Sequence, residues 1–364
     1  MRDSRPPAPW PRAGGARALR RIAYKVIDCG IGCSSVQPSA PGPRGIKDSR
    51  LIHVLGIDAG GTKTVCQLAN ERGEALAEAR GGGANLQAVG ELEVEKVLHE
   101  VMDEVIGDRD ITPAAICLGI AGVDRPEDAV VVRAIMKRIG YKARVLIVND
   151  ALVALEAGAP GEPGIVVIAG TGSIAYGRNS RHEAARAGGW GFVLGDEGSG
   201  YWIGRAALRA VLRQADRRGP LTQLTNLLLE HFEVSHAQDL IHEVYHGTLR
   251  PAAIAALAQC VQKAFTAGDA VAIGILRGAA DQLESSALSV ARRLDLVGNA
   301  FPFVLAGGIF RAVPWLHDEL VRRLTLASPK SRTFLLNVEP AVGAVRLAVA
   351  EARGVARIPL YKAD

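Results

Sequence analysis

The segment from residue 54 to residue 64 reads Val-Leu-Gly-Ile-Asp-Ala-Gly-Gly-Thr-Lys-Thr. Its apolar half predicts a rigid strand that carries one carboxylate, Asp58, into a glycine turn followed by hydroxyl groups and Lys63. A carboxylate in that place can hold Mg²⁺ or its water, and glycines let backbone N–H groups approach phosphate oxygens. We therefore predict a phosphate-binding hairpin. The segment alone leaves open an ordinary β-hairpin that Asp58 caps.

A P-loop is the competing interpretation of the same glycines. That loop needs a lysine directly after the second glycine of G-x-x-x-x-G, whereas Gly56 and Gly61 are followed by Thr62. The residues after Lys63 also alternate between apolar and polar, as a strand does, whereas a P-loop opens a helix. The pattern therefore indicates a strand, a glycine turn and a second strand, and it excludes the P-loop.

Size and composition indicate a globular protein of two domains. The chain has 364 residues, of which 48% are hydrophobic and 22% charged. Its apolar runs are strand-sized, so no membrane span is predicted. Residues 1–50 carry ten Lys or Arg and three Asp, so they contribute +7 to the net charge of +5 and the rest of the chain contributes −2. With no basic patch in that remainder, a nucleic-acid partner is not expected.

Cysteine usage favours a reducing compartment. The count of five is odd, and Cys66, Cys117 and Cys260 lie in apolar patterns where a thiol behaves as a small hydrophobe. We therefore expect a cytoplasmic protein. Cys29 and Cys33 lack further ligands nearby and are a poor basis for a metal site.

Residues 1–49 are rich in Pro, Arg, Ala, Gly and Ser and show no sustained period. We predict that they are a disordered basic tail or an upstream extension. An Arg-rich, acid-poor start is also typical of a transit peptide, which is the alternative.

Period and length divide the chain from residue 52 onwards into strands and helices. The first predicted elements are strands at 52–58, 63–69 and 74–80 and a helix at 90–107. The strands and helices that follow alternate, which predicts parallel pairing. Around Gly170-Thr171-Gly172 a strand, turn and strand repeat the opening pattern. The repetition predicts two βββαβα halves, each offering a phosphate turn to a shared cleft.

The middle of the chain is predicted to be a loop followed by helices. Residues 186–205 are too rich in glycine for a regular element, and long irregular loops are usually functional. Helical patterns then run from about 201 to 293, which predicts an all-helical insertion. Within it, His242-Glu243-Val244-Tyr245-His246 satisfies the H-E-x-x-H signature of zinc proteases. Because Gly247 and Pro251 end that helix at once and no third ligand is indicated, we prefer chance histidines on an amphipathic helix.

Several short motifs occur in one order along the chain. They are Gly56-Ile57-Asp58-Ala59-Gly60-Gly61-Thr62, Asn149-Asp150-Ala151, Gly170-Thr171-Gly172-Ser173, Gly188-Gly189-Trp190-Gly191 with Gly195-Asp196-Glu197-Gly198-Ser199, and Ala306-Gly307-Gly308. This set resembles the N-acetylglucosamine kinases of the BadF/BadG-type ATPase family, within the actin, hexokinase and Hsp70 superfamily. The resemblance covers about residues 52–355, and the block from Gly188 to Ser199 is its most specific part.

The resemblance implies an α/β fold of two ribonuclease-H-like, actin-like ATPase lobes with a nucleotide and sugar cleft between them. The implied N-terminal lobe is 50–160. The implied C-terminal lobe is 161–364, and it carries the helical insertion at about 201–293. A homodimer is also suggested.

The same resemblance implies ATP and Mg²⁺ as cofactors, with Asp58 on the Mg²⁺ side. The residues implied to bind the nucleotide are Gly60, Gly61, Thr62, Lys63, Thr171, Gly172, Gly307 and Gly308.

Asp150 matches the position of the family's general base. The chemistry agrees, since a sugar hydroxyl needs a carboxylate within hydrogen-bond reach as phosphoryl transfer proceeds. An N-cap for the helix that follows is the alternative role for Asp150. The residues implied to contact the sugar are Asn85, Asp150, Gly189, Trp190 and Asp196. Asn85 has the alternative of serving only its own turn, and Glu197 is given no chemical role.

The implied activity is transfer of the γ-phosphoryl group of ATP to the 6-hydroxyl of an amino sugar, with N-acetylglucosamine as the first candidate. Glucosamine and N-acetylmuramic acid are alternative substrates. An ATPase that activates a partner protein is the alternative from another class, because fold alone does not fix function. A related branch of the family carries cysteines that bind an iron–sulfur cluster between two subunits, and no cysteine here is placed near either predicted phosphate turn for that purpose.

Overall fold

A computed structural model describes residues 52–123, 125–245 and 250–362, and the predicted tail at 1–49 lies outside these residues. The strands in the described ranges are β1 (His53–Ala59), β2 (Lys63–Asn70), β3 (Ala75–Gly82), β4 (Ala115–Ile120), β5 (Arg144–Asn149), β6 (Gly164–Ala169), β7 (Ser173–Arg178), β8 (Glu183–Gly188), β9 (Pro302–Ala306), β10 (Arg332–Leu335) and β11 (Leu360–Tyr361). The helices are α1 (Leu86–Ile106), α2 (Pro126–Ile139), α3 (Asp150–Gly158), α4 (Gly200–Ala215), α5 (Leu224–His231), α6 (Leu240–Tyr245), α7 (Pro251–Ala256), α8 (Ala258–Thr266), α9 (Ala270–Arg293), α10 (Ile309–Ala312), α11 (Pro314–Ala327) and α12 (Ala341–Ala352).

These strands form two sheets with the same internal pattern. The first has the order β3-β2-β1-β4-β5, and the second has the order β10-β9-β6-β7-β8-β11. In the first sheet β1 is antiparallel to β2 and parallel to β4. In the second sheet β6 is antiparallel to β7 and parallel to β9. The two predicted ribonuclease-H-like lobes, and the helical insertion in the second of them, are confirmed.

The central strands are mostly apolar, because helices cover both faces of each sheet. Helices α1 and α2 pack on the outer face of the first sheet, and α9 packs on the outer face of the second. Helices α3 and α12 lie between the sheets and share one core with both of them. The cleft end of each sheet is therefore built on a rigid layered core.

Two glycines let the last helix approach the first sheet. A Cβ on Gly56 of β1 would lie 2.6 Å from the side chain of Val345, and a Cβ on Gly343 would run into the carbonyl group of Val153 in α3. Only glycine permits contacts this close. Helix α12 thus packs on the first sheet although it comes from the C-terminal part of the chain. The division of the chain into lobes at 50–160 and 161–364 stays a prediction.

A buried ion pair fixes the connection between the lobes. Arg178 of β7 lies 2.6 Å from the carboxylate of Glu156 in α3, and both side chains are buried. The same guanidinium donates to the carbonyl oxygens of Ala159 and Glu162, at 2.7 and 2.8 Å. Since removing either partner would leave a buried charge uncompensated, the linker after α3 is held firmly.

The predicted loop at 186–205 is shorter in the structure. Strand β8 reaches Gly188, and helix α4 begins at Gly200. Strand β8 is the third strand that the predicted βββαβα pattern requires in the second half, but its position was not predicted, because it consists mostly of small residues that give little strand signal. The short β11 was not expected. Helix α1 begins before the predicted residue 90, and Gly90 interrupts it with φ of 78°. Throughout the described residues, every helix is too short or too polar to span a bilayer.

Candidate active site

The turn between β1 and β2 contains residues 60–63, the predicted first phosphate turn. The amide of Gly60 donates to the carbonyl oxygen of Lys63 at 3.0 Å, which closes the turn. A Cβ on Gly83 would clash with the carbonyl group of Gly61, so a glycine at 83 lets the following segment support the turn from behind. The backbone amides of this turn are therefore held in place by the fold itself.

Asp58 lies next to the end of β1 and is only 8% exposed. Burial raises the pKa of its carboxyl group to about 7, and the negative charge of Asp150 acts in the same direction. A carboxylate that burial destabilises fits a site completed by a cation, because the cation restores the favourable electrostatics lost on leaving water. Within the described ranges, no three His, Cys, Asp or Glu side chains cluster to hold a metal unaided. Water and phosphate oxygens would therefore complete a Mg²⁺ shell at Asp58.

Asp150 is the first residue of α3 and directly follows β5. The N-cap of this helix is Asn149, whose Oδ1 accepts a hydrogen bond from the amide of Ala151 at 2.8 Å. The alternative that Asp150 serves as the N-cap is therefore wrong. Asp150 lies in the first turn of α3, where the helix dipole presents its positive end.

Gly119 of β4 lets α3 begin close to the strand of Asp58. A Cβ on Gly119 would lie 2.9 Å from the Cβ of Val153 and 3.5 Å from the Cα of Asp150. Gly119 pairs with Asp58 on one side and with Val148 of β5 on the other. Because neighbouring strands are about 4.8 Å apart, Asp58 and the end of β5 lie about 10 Å apart. Gly119 was not predicted as a site residue, because in the sequence it is only a glycine within an apolar strand.

The turn between β6 and β7 is the predicted second phosphate turn, and α4 supports it. Within the turn, the amide of Gly170 donates to the carbonyl oxygen of Gly172 at 2.9 Å. The amides of Gly200 and Tyr201, in the first turn of α4, donate to the carbonyl oxygens of Gly170 and Thr171 at 2.9 and 3.2 Å. The position of Thr171 is thus tied to a four-turn helix.

Gly307 and Gly308 form a third glycine turn beside the second one. Strands β6 and β9 are parallel, with Ile168 opposite Ala306. Gly307 has φ of 107°, and a Cβ there would clash with the carbonyl group of Ala169, so a side chain is excluded at this position. The second and third turns therefore lie side by side at one edge of the second sheet.

Asp196 joins the second turn to the glycine-rich loop. Its side chain is 8% exposed, and its carboxylate accepts hydrogen bonds from the backbone amides of Ser173 and Gly191. Burial raises the pKa of this carboxyl group above its usual value. A Cβ on Gly172 would lie 2.6 Å from Oδ2 of Asp196, so the second turn passes directly over the carboxylate. The predicted contact of Asp196 with sugar stays a prediction; the described contacts assign it a role in holding the backbone.

Asn85 also has a backbone role. Its Oδ1 accepts hydrogen bonds from the amides of Gln87 and Ala88, at 3.0 and 3.2 Å, and so caps α1. The side chain thus serves its own turn, as the alternative to sugar binding supposed. A bond from Asn85 to a sugar, which stays a prediction, would have to come from Nδ2.

Gly189 and Trp190 lie at the end of β8, next to the second turn. The amide of Gly189 donates to the carbonyl oxygen of Ser173 at 2.9 Å, and its φ is 72°. A Cβ on Gly189 would lie 2.8 Å from Cδ1 of Ile174. Trp190 is 64% exposed, so its indole is open to a ligand.

Glu339 connects the edges of the two lobes and was missed by sequence reasoning. Its carboxylate lies 2.7 Å from Nζ of Lys63 and 3.1 Å from Nη2 of Arg80. Glu339 lies between β10 of the second sheet and α12, whereas Lys63 begins β2 of the first sheet, so this ion pair joins the segment after β10 to the first phosphate turn. No local pattern could reveal this pair, because 276 residues separate its members. A phosphate at Lys63 would compete with Glu339.

The H-E-x-x-H segment is only partly described. His242 lies in α6, and His246 lies outside the described residues. The described cysteines, Cys66, Cys117 and Cys260, are free and buried, and burial raises the pKa of each thiol. These thiols are therefore in their neutral form and are unsuited to hold an iron–sulfur cluster without rearrangement.

Two lobes of this topology, each with a glycine turn between its first two strands, define an actin-like ATPase. The sequence profile of the BadF/BadG/BcrA/BcrD ATPase family matches residues 55–348. The chain belongs to this family, as the motifs predicted.

Relatives of the chain include sugar kinases. It is 37% identical to the N-acetylmuramic acid/N-acetylglucosamine kinase of Clostridium acetobutylicum, over 82% of this chain and 99% of the relative. It is 34% identical to the N-acetyl-D-glucosamine kinase of Dictyostelium discoideum, over 81% of this chain and 97% of the relative. A crystal structure from Chromobacterium violaceum, provisionally named an N-acetylglucosamine kinase, superimposes with a TM-score of 0.68 at 28% identity, covering 81% of this chain and 98% of the other.

Proposed function

We propose that the protein transfers the γ-phosphoryl group of ATP to the 6-hydroxyl of an amino sugar, with N-acetylglucosamine as the preferred acceptor. Membership of an ATPase family supports the use of ATP. The names of the two relatives above 30% identity support the sugar class.

The observation that carries the proposal is the placement of Asp150. Asp150 is the first residue of α3, and Asn149 is the residue that caps this helix. The negative charge of Asp150 raises the pKa of Asp58, so the two carboxyl groups lie near each other at the end of the first sheet. A carboxylate beside a predicted phosphate site, and not used as the helix cap, suits a general base.

In the proposed reaction, Asp150 accepts the proton of the 6-hydroxyl as the sugar oxygen attacks the γ-phosphorus. The bond from the γ-phosphorus to the β,γ-bridging oxygen breaks, and ADP leaves. The amides of the first and second glycine turns face the phosphate oxygens and stabilise their negative charge. Mg²⁺ held at Asp58 would neutralise part of that charge. Thr62, Lys63 and Thr171 supply further donors, and Gly307 and Gly308 leave room for the adenosine.

The substrate is tested by measuring ADP release with N-acetylglucosamine, N-acetylmuramic acid, glucosamine and glucose. We expect sugar-stimulated turnover, with the highest kcat/KM for N-acetylglucosamine and a 6-phosphate product identified by NMR. N-acetylmuramic acid is the second candidate because one relative is named for both sugars. If none of the four sugars stimulates ADP release, the proposal that the protein is a sugar kinase is contradicted. ATP hydrolysis that sugar does not change would instead favour an ATPase that activates a partner.

We further propose a cytoplasmic homodimer with a small amino sugar as its ligand. The free, buried thiols suit a reducing compartment, and the dimer rests on the family resemblance. Sedimentation at the mass of one 38.4 kDa chain would contradict the dimer, and cell fractionation checks the compartment.

A further inference from the structure

The loop after β8 holds the backbone of Trp190 but leaves its indole exposed. Gly188, Gly189 and Gly191 all have positive φ, at 75°, 72° and 83°. Glycine adopts this region without strain, and hydrogen bonds from the amides of Gly189 and Gly191 hold the backbone in it. Trp190 stands between these two glycines and is 64% exposed, so burial does not fix its indole. Its orientation must come from another side chain.

Arg186 supplies that contact. Its guanidinium carbon lies 4.2 Å from the centre of the Trp190 ring, a cation–π distance. Its Nη1 also donates to the carbonyl oxygen of Gly188 at 2.7 Å. One planar group therefore stacks on the indole and holds the backbone just before it, a combination for which arginine is suited and lysine is not.

Arg186 is itself on a rigid element. It lies in β8 opposite Tyr176 of β7, and its carbonyl oxygen accepts a hydrogen bond from Nη1 of Arg293 in α9 at 2.9 Å. The sheet and the longest helix of the insertion thus set the place of the guanidinium. Through the guanidinium of Arg186, the sheet and helix α9 also set the position of Trp190.

We propose that Arg186 is a positioning residue that fixes Trp190 for recognition of the acetamido group of the sugar. With the guanidinium on one side of the indole, the other side and the edge remain for the acetamido methyl group, which is apolar. This inference rests on the proposed function, since it concerns the sugar of that reaction. It predicts that Arg186 matters for N-acetylated sugars and little for the same sugar without the acetyl group.

The inference is tested with Arg186→Met, Trp190→Ala and the double variant. Arg181→Met is the matched control, because Arg181 lies before the same strand and pairs with Glu183 and Asp295 instead. For each protein, kcat/KM is measured with N-acetylglucosamine and with glucosamine, and the Kd of N-acetylglucosamine is measured by calorimetry without ATP.

We expect Arg186→Met to lower kcat/KM for N-acetylglucosamine about tenfold, the size of a lost cation–π contact at a partly exposed site. Its Kd should rise to match, while kcat/KM for glucosamine and the KM for ATP stay nearly constant. The double variant should be no worse than Trp190→Ala, because Arg186 acts through the indole. Arg181→Met should behave as wild type.

Equal losses with both sugars, or additive losses in the double variant, would overturn the inference and leave Arg186 as support for β8. If Arg186→Met lowers Tm enough to prevent assay, Arg186→Lys gives the same comparison with a smaller expected loss for the N-acetylated sugar. A wild-type protein that binds and phosphorylates no amino sugar would overturn the proposed function as well. Failure of the inference alone leaves wild-type turnover intact.

Discussion

Asp150→Asn is expected to lower kcat by about a hundredfold to ten-thousandfold, the usual contribution of a positioned general base. Asparagine keeps the shape of the side chain but cannot accept the hydroxyl proton. Because Asn149 caps α3, the helix should form normally in the variant. Binding of ATP, measured by calorimetry with Mg²⁺ present, should therefore stay close to wild type.

The control is Asp103→Asn, which makes the same chemical change in the same lobe. Asp103 lies on the exposed side of α1 and accepts a hydrogen bond from the hydroxyl of Tyr141 at 3.0 Å. Its loss should leave kcat unchanged. Near-native turnover in Asp150→Asn would refute the role of general base, and loss of ATP binding together with turnover would point to a structural role.

Asp58→Asn is expected to abolish Mg²⁺-dependent ATP binding and at the same time to stabilise the ligand-free protein at alkaline pH. Burial raises the pKa of Asp58 from 3.8 to about 7, so between these values the folded protein binds more protons than the unfolded chain. Stability therefore falls as pH rises through this window and stays low above it. The shift corresponds to a few kcal/mol, at about 1.4 kcal/mol for each pKa unit.

The Asp58→Asn variant lacks this carboxyl group, so its stability should not fall in this way as the pH rises. The difference in Tm between Asp58→Asn and wild type should grow in favour of the variant from pH 5 to pH 8 in the absence of ligand. With Mg²⁺ and ATP added, the order should reverse at pH 8, because only wild type gains stability from binding. Parallel Tm curves from pH 5 to pH 8 would show that Asp58 is not the destabilised group. Asp103→Asn should follow wild type throughout.

Local patterns predicted the frame of the molecule well. The hairpin around Asp58 was recognised because the period of its strands and its turn residues agree, and β2 begins at the predicted residue 63. Strand β8 was missed because Ala and Gly carry no strand signal of their own. Its place is set by pairing with β7, which is a tertiary effect.

The candidate site was harder to predict, because its supporting contacts join distant parts of the chain. Glu339 reaches Lys63 only through the packing of α12, and Gly119 acts by lacking a side chain under α3. The type of a polar residue also did not show whether its side chain binds the backbone or a ligand. Asn85 and Asp196 were assigned to the sugar by the family resemblance, and both direct oxygen atoms at backbone amides. Such amides compete with a ligand for the same acceptors.

The position of α12 also bears on how the chain folds during synthesis. Strands β1 and β4 leave the ribosome early, but the face of β1 at Gly56 is covered only when residues 341–352 arrive. The N-terminal lobe therefore cannot follow the usual order in which the first domain is complete before the next is made. Its apolar inner face must wait for the end of the chain. A nascent chain that stops before α12 would leave its beginning, and with it the turn at Asp58, without a finished core.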